Sequence, residues 1–154
     1  MSGTDPSSEA TTPQAVDMAL EVVTLPVADV DRAKRFYQSL GWRFDIDLVV
    51  SDDLRTVQFT PPHSQCSIHF GKGLTAAEPG SADRLILAVE NIDAARDDLI
   101  SRGVDVSEVY EQRPPGFEQA GRSYFAYASF RDPDGNGWLL QEVTTRFPGR
   151  EWDD

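Results

Sequence analysis

Two histidines, His63 and His69, one cysteine, Cys66, and Arg84, which opens an apolar run, are the side chains of this sequence that invite chemistry. A histidine with an ordinary pKa of about 6.5 can act as a general base. A guanidinium suits a carboxylate, an enolate or a phosphate. Acting on one substrate, His69 would take a proton and Arg84 would stabilise the oxyanion. His63 lies in the proline-rich turn 61–64, where a solvated ring is the simpler expectation. Cys66 lacks a basic flank and neither histidine has an obvious acid partner, so nothing resembles a nucleophile with its base. Gly71-Lys72-Gly73 lacks the pattern of a phosphate loop. Gln141 offers a polar handle on a strand it shares with Trp138 and Leu139.

The elements that must position these residues are legible from periodicity. The chain has 154 residues, 40% of them hydrophobic, enough for one domain with a real core or two small halves sharing one. Residues 1–17 are small, polar and proline-containing, and are expected to form a disordered tail. A strand is predicted over 20–27, with Pro26 near its end. Val30, Ala33, Phe36, Tyr37 and Leu40 then recur at helical spacing, with Asp29 or Asp31 as cap and Gly41 as stop. Strands are predicted over 42–50, 55–60 and 66–70, and residues 71–81 have linker composition.

The pattern then repeats. A strand over 85–89 leads to a helix carrying Ile92, Ala95 and Leu99, capped by Asn91 or Asp93 and stopped by Gly103; a strand follows over 104–109. Val27, Asp31 and Gly41 align at one constant offset with Val89, Asp93 and Gly103, the mark of an internal duplication. A long loop, 110–123, brings Arg113, Phe117 and Arg122 and is a candidate lid. Strands over 124–130 and 138–143, joined by the turn Asp132-Pro133-Asp134-Gly135-Asn136, close the second copy as a hairpin. Residues 146–154 form a tail with two aromatics, Phe147 and Trp152, which folds back or meets another subunit.

Composition excludes several classes of function. The formal net charge is −12, which disfavours a nucleic-acid partner. A single cysteine rules out an internal disulfide framework and any multi-cysteine zinc site. No apolar run approaches the ~20 residues that cross a bilayer, and no secretory signal opens the chain, so a cytoplasmic protein is expected.

A duplicated β-α-β-β-β unit containing LPVADVDRAKRFYQSLGW in its first copy and DPDGN in its second resembles the vicinal oxygen chelate superfamily. Members include glyoxalase I, extradiol dioxygenases and bleomycin-binding resistance proteins. The resemblance spans roughly residues 20–145, and WLLQEVTTRFPGR is similar to a bacterial branch labelled glyoxalase-like. It implies an α+β fold of two tandem βαβββ units, 18–72 and 83–145 around a linker 73–82, in one domain over 18–145. The units enclose a half-barrel pocket. It also implies a divalent metal held by first and last strands of each unit. The ligand positions fall on Val22, His69, Arg84 and Leu139, of which only His69 can coordinate, so no metal or other cofactor is expected. Matching PPHSQCSIHF to DPDGNGWLLQ instead pairs His69 with Leu140, one residue out of register, which would turn His69 away from the pocket.

The resemblance and the missing ligands together favour a metal-independent binder of a small apolar or aromatic, possibly anionic, molecule. Val22, Phe59, Ile86, Tyr127, Trp138 and Leu139 are expected to line the pocket, with His69, Arg84 and Gln141 orienting the ligand. The alternative is a lyase, isomerase or dioxygenase with a non-standard metal set, or a metal-free enzyme with His69 and Arg84 as catalytic residues. A homodimer is expected from the family.

Overall fold

Each helix begins where a short polar side chain replaces a missing backbone partner. Asp29 accepts from the Arg32 N–H at 3.0 Å, and Asn91 from the Ala94 N–H at 3.0 Å. Asp31 and Asp93 sit inside the first turns instead. Gly41 and Gly103, at φ 78° and 87°, lie just beyond the two helix ends. The structure, a computed structural model, describes residues 14–150. Trp152 lies outside them, as do residues 1–13.

The first unit is β1 (Val22–Thr24), α1 (Val30–Ser39), β2 (Arg43–Ser51), β3 (Leu54–Thr60) and β4 (Ser67–Lys72). The second is β5 (Leu85–Val89), α2 (Ile92–Ser101), β6 (Tyr110–Glu111), β7 (Ala126–Arg131) and β8 (Gly137–Glu142). Each forms a four-stranded sheet, ordered β1-β4-β3-β2 and β5-β8-β7-β6. The pairs β1/β4 and β5/β8 are parallel and the others antiparallel. This is the tandem βαβββ α+β architecture.

The helices cover one face of the sheets. Ala33 and Tyr37 of α1 are fully buried against Val57, Phe59 and Phe70, and Ile92 and Leu99 of α2 join the same core as Ala126, Ala128 and Leu140. Tyr37 also meets Trp138 of the second sheet, with ring centroids 6.2 Å apart, so one core serves both units. At the rim, Arg55 bonds Asp31 and Asp47, and Lys34 bonds Asp47, tying α1 to β2 and β3. Those hydrogen bonds hold the Asp47 carboxyl well below the usual carboxylate range.

The turn between β7 and β8 joins the two units. Asp132 Oδ1 accepts from the Asp134 and Asn136 N–H groups, both at 2.9 Å. The buried Asn136 amide donates to Pro26 O at 2.9 Å and accepts from the Ala82 N–H at 3.0 Å. Asp134 Oδ1 accepts from the Ala28 N–H and from Arg32. Gly80 closes the contact: at φ 79°, a Cβ there would stand 2.0 Å from Asp134 O.

Several boundaries depart from expectation. β1 stops at Thr24, and the carbonyl of Pro26 bonds Gly80 N and Asn136 instead of a ladder partner. The predicted strand 104–109 is absent: the Ser107 hydroxyl takes the Ser129 N–H in place of a backbone carbonyl, and regular pairing survives only at Tyr110–Glu111. Val104 and Val106 are nevertheless buried in the core. β4 continues to Lys72 and excludes Cys66. No helix of the described residues is long and apolar enough to cross a membrane.

Candidate functional site

Side-chain alternation, interrupted in β2 by register shifts between Phe44 and Ile46 and between Val49 and Ser51, assigns strand residues to the helix-covered face or to the open face behind it. In the first sheet, Val22 and Thr24 pair with Ser67 and His69, and His69 with Gln58; these lie opposite to the buried Val57, Phe59 and Phe70. His69 therefore belongs to the open face. Thr24 Oγ1 and His69 Nε2 are 2.6 Å apart, committing one ring nitrogen to a neighbour. Partial burial lowers the His69 pKa and favours the neutral ring.

A polar row continues across this face. Thr60 bonds Ser67 at 2.6 Å, and Asp45 accepts from Thr60, Gln58 and Arg43. Burial opposes ionisation of Asp45, but these hydrogen bonds outweigh it and lower its pKa.

In the second sheet the open face carries Ile86 and Ala88 of β5, Leu139 and Gln141 of β8, and Tyr127 and Ser129 of β7. Gln141 Nε2 donates to Tyr124 O at 3.0 Å, Tyr127 donates to the same carbonyl at 2.9 Å, and the Tyr127 ring stacks on Tyr110. Next to them a cavity of about 570 Å³ opens at the start of β5, lined by Arg84, Asp105, Ser107, Ser129, Arg131 and Leu139. Arg84 is exposed, has φ 56° and makes no ion pair among the described residues. Gly137 also lines the cavity, and a Cβ there would meet the Asp83 carboxylate.

Of the residues expected to line a pocket, Val22, His69, Ile86, Tyr127, Leu139 and Gln141 share the open face, and Arg84 lies at the cavity. Phe59 and Trp138 do not. Phe59 is fully buried against Tyr37 and Phe70, and Trp138 donates through Nε1 to the Tyr37 hydroxyl at 3.0 Å within the core. Trp138 cannot share a face with Leu139, its neighbour in an extended strand, although it borders the Arg84 cavity as expected. His69 is not among the residues that line the cavity at Arg84. Ser107 and Arg131 were not anticipated. Alternation from Ser129 would have found Arg131, whereas Ser107 sat in an expected strand that did not form.

Strand pairing also settles the ambiguous register. Thr24 pairs with His69 as its duplicate Ile86 pairs with Leu139, so His69 corresponds to Leu139 and not to Leu140. The four positions where a metal would be held are thus Val22, His69, Arg84 and Leu139. Two apolar side chains, a cation and one imidazole do not fit a divalent ion. Among the described residues, no group of three or more His, Cys, Asp or Glu side chains could hold one.

The long loop is organised away from the cavity. Arg113 bonds the carbonyls of Ala120 and Gly121 and pairs with Glu111, while Arg122 approaches Glu142 and Asp93 at the start of α2. No residue of 112–123 lines the Arg84 cavity. After β8 the chain folds back: Phe147 stacks on Tyr124 with centroids 4.0 Å apart, and Ser123 bonds Thr144 and Thr145.

Residues 19–140 match the family model described as glyoxalase/bleomycin resistance protein/dioxygenase superfamily. Among solved structures, the chain is similar to TnmS3, an antibiotic binding protein from Streptomyces sp. CB03234, at 26% identity over 84% of this chain and 99% of that one, TM-score 0.67. It is similar to a glyoxalase/bleomycin resistance protein from the same organism at 27% identity, over 80% and 99% of the two chains, TM-score 0.62. A superfamily member from Sphaerobacter thermophilus DSM 20745 shares 27% identity over 82% and 98%, TM-score 0.65. No curated protein matches the chain significantly.

Proposed function

The chain belongs to the glyoxalase/bleomycin resistance protein/dioxygenase superfamily, and from that premise we propose that it is a metal-independent binding protein for a small apolar or aromatic molecule bearing an anionic group. The observation that carries this reading is Arg84, an exposed guanidinium with no ion pair among the described residues, beside a cavity of about 570 Å³ whose wall includes Leu139. An exposed arginine next to apolar surface suits a ligand with a carboxylate, enolate or phosphate at one end and a hydrophobic body at the other. The Ser129 hydroxyl supplies a further hydrogen-bonding group, that of Ser107 being engaged by the Ser129 N–H and the Glu108 carbonyl, and Asp83 and Asp105 disfavour a ligand carrying negative charge at both ends. The similarity to an antibiotic binding protein supports sequestration as the role.

Catalysis is the weaker reading. A base and an oxyanion donor must face one reacting centre, and His69 and Arg84 do not line the same cavity. The test is calorimetric titration of the purified protein with matched aromatic carboxylates and their neutral amides. Carboxylates are expected to bind more tightly, and Arg84→Ala to weaken them about tenfold, roughly 1.4 kcal/mol, with the amides unchanged. Equal loss for both series would mean that Arg84 does not read the ligand's charge, no loss in either would remove it from the site, and product formation from a bound ligand would replace binding by catalysis.

A further inference from the structure

The polar groups one row beyond the Arg84 cavity have no hydrogen left to donate. Ser129 pairs with Leu139 in the cavity wall, and the next residues on that face, Tyr127 and Gln141, pair about 7 Å further along the strands. Both turn toward one atom, the Tyr124 carbonyl oxygen: Gln141 Nε2 stands 3.0 Å from it and the Tyr127 hydroxyl 2.9 Å. A carbonyl oxygen only accepts, so Gln141 must present its amide nitrogen there, and the Tyr127 proton must point at the same oxygen. The second amide hydrogen of Gln141 faces the Tyr127 oxygen, with 3.4 Å between the heavy atoms.

Tyr124 itself is held from several sides. It has φ 71°, in the left-handed region that a side chain with a Cβ rarely occupies. Its N–H bonds Glu142 O at 2.7 Å, its ring stacks on Phe147, and its hydroxyl accepts from the Phe147 N–H. Strain of this kind persists only where the surroundings fix it. What remains to meet a ligand is acceptors. They are Gln141 Oε1, which no donor among the described residues reaches, and a lone pair of the Tyr127 oxygen.

We infer that Gln141 and Tyr127 form a donor-reading end of the site, so that a ligand whose anionic end meets Arg84 carries a hydroxyl or N–H group at its opposite end. The inference rests on the anion-binding reading of Arg84 and extends it. Arg84 lies one residue before Leu85, which pairs with Trp138, so Gln141 is roughly 13 Å from it along the sheet. A two-ring aromatic and the arginine side chain together cover that span, with Leu139 between the two ends. A ligand with a carbonyl or ether oxygen at the far end would set acceptor against acceptor and give up its hydration without a replacement.

Calorimetric titration with four probes tests the two ends separately: 6-hydroxy-2-naphthoate, its 6-fluoro analogue, which is of similar size and cannot donate, and the neutral amides of both. The wild-type protein is expected to bind the hydroxy compounds about tenfold more tightly than the fluoro compounds, in the acid and the amide series alike. Gln141→Met/Tyr127→Phe, verified as folded by circular dichroism, should bind hydroxy and fluoro compounds equally while still preferring acids to amides. Equal affinity for hydroxy and fluoro probes in the wild type, or a hydroxy preference that survives the double variant, would overturn the donor-reading end. Loss of the acid-over-amide preference alone would overturn the reading of Arg84 and leave the donor-reading end standing. Binding of none of the four would overturn both.

Discussion

The Tyr37 hydroxyl, on α1, donates to Asp132 Oδ2 at 2.8 Å, joining positions 95 residues apart in the two units. The Tyr37 hydroxyl oxygen in turn accepts from Trp138 Nε1 at 3.0 Å, and Asn136 Nδ2 donates to Asp132 Oδ2. Burial, with Asp132 alongside, raises the Tyr37 pKa, so the hydroxyl keeps its proton and remains a donor. The DPDGN turn is therefore an inter-unit lock as well as a hairpin connection.

Tyr37→Phe keeps the ring and removes only the hydroxyl, leaving the indole N–H and one carboxylate site without a partner. Stability is expected to fall by about 1–3 kcal/mol. In urea titration the midpoint should drop with an unchanged slope; a change in slope would mean that the units had begun to unfold separately.

Arg84 holds φ 56°, a left-handed conformation costly for a side chain with a Cβ. Arg84→Gly should relieve that strain, raising stability by up to about 1 kcal/mol after the entropy of a freer unfolded chain is subtracted. Under the binding reading the same variant loses the anion anchor. A higher melting temperature together with weaker carboxylate binding is the expected signature, and a less stable variant would show that the arginine has packing contacts that matter.

The His69 pKa is lowered in the fold, so the unfolded chain takes up a proton first as pH falls. Its contribution to stability is complete above the unfolded value of about 6.5 and is lost as pH falls through the folded value. His69→Gln should flatten the dependence of unfolding free energy on pH below about 6.5. Denaturation series at several pH values on both proteins provide the comparison; parallel curves would refute the assignment.

Gly137→Ala probes the cavity without disturbing the core. The new Cβ would meet the exposed Asp83 side chain, which can swing aside, so the stability cost should stay below about 1 kcal/mol. The displaced carboxylate would move within the cavity wall and lower ligand affinity. Unchanged affinity would place the ligand elsewhere on the open face.

The sequence by itself determined what depends on nearest neighbours along the chain. Helix caps at Asp29 and Asn91, stops at Gly41 and Gly103, the DPDGN turn and the duplication are written in local residue chemistry, and they carried the fold. Tertiary structure decided the rest, because a strand's two faces are distinguished only by what packs on them. Phe59 and Trp138 are as apolar as any cavity wall, and only Tyr37, wedged between the sheets, assigns them to the core. His69 was placed by its pairing with Thr24, a register that a sequence alignment alone left one residue uncertain. Ser107 shows the same dependence: a hydroxyl capturing a distant N–H ended a strand that its own segment would have predicted.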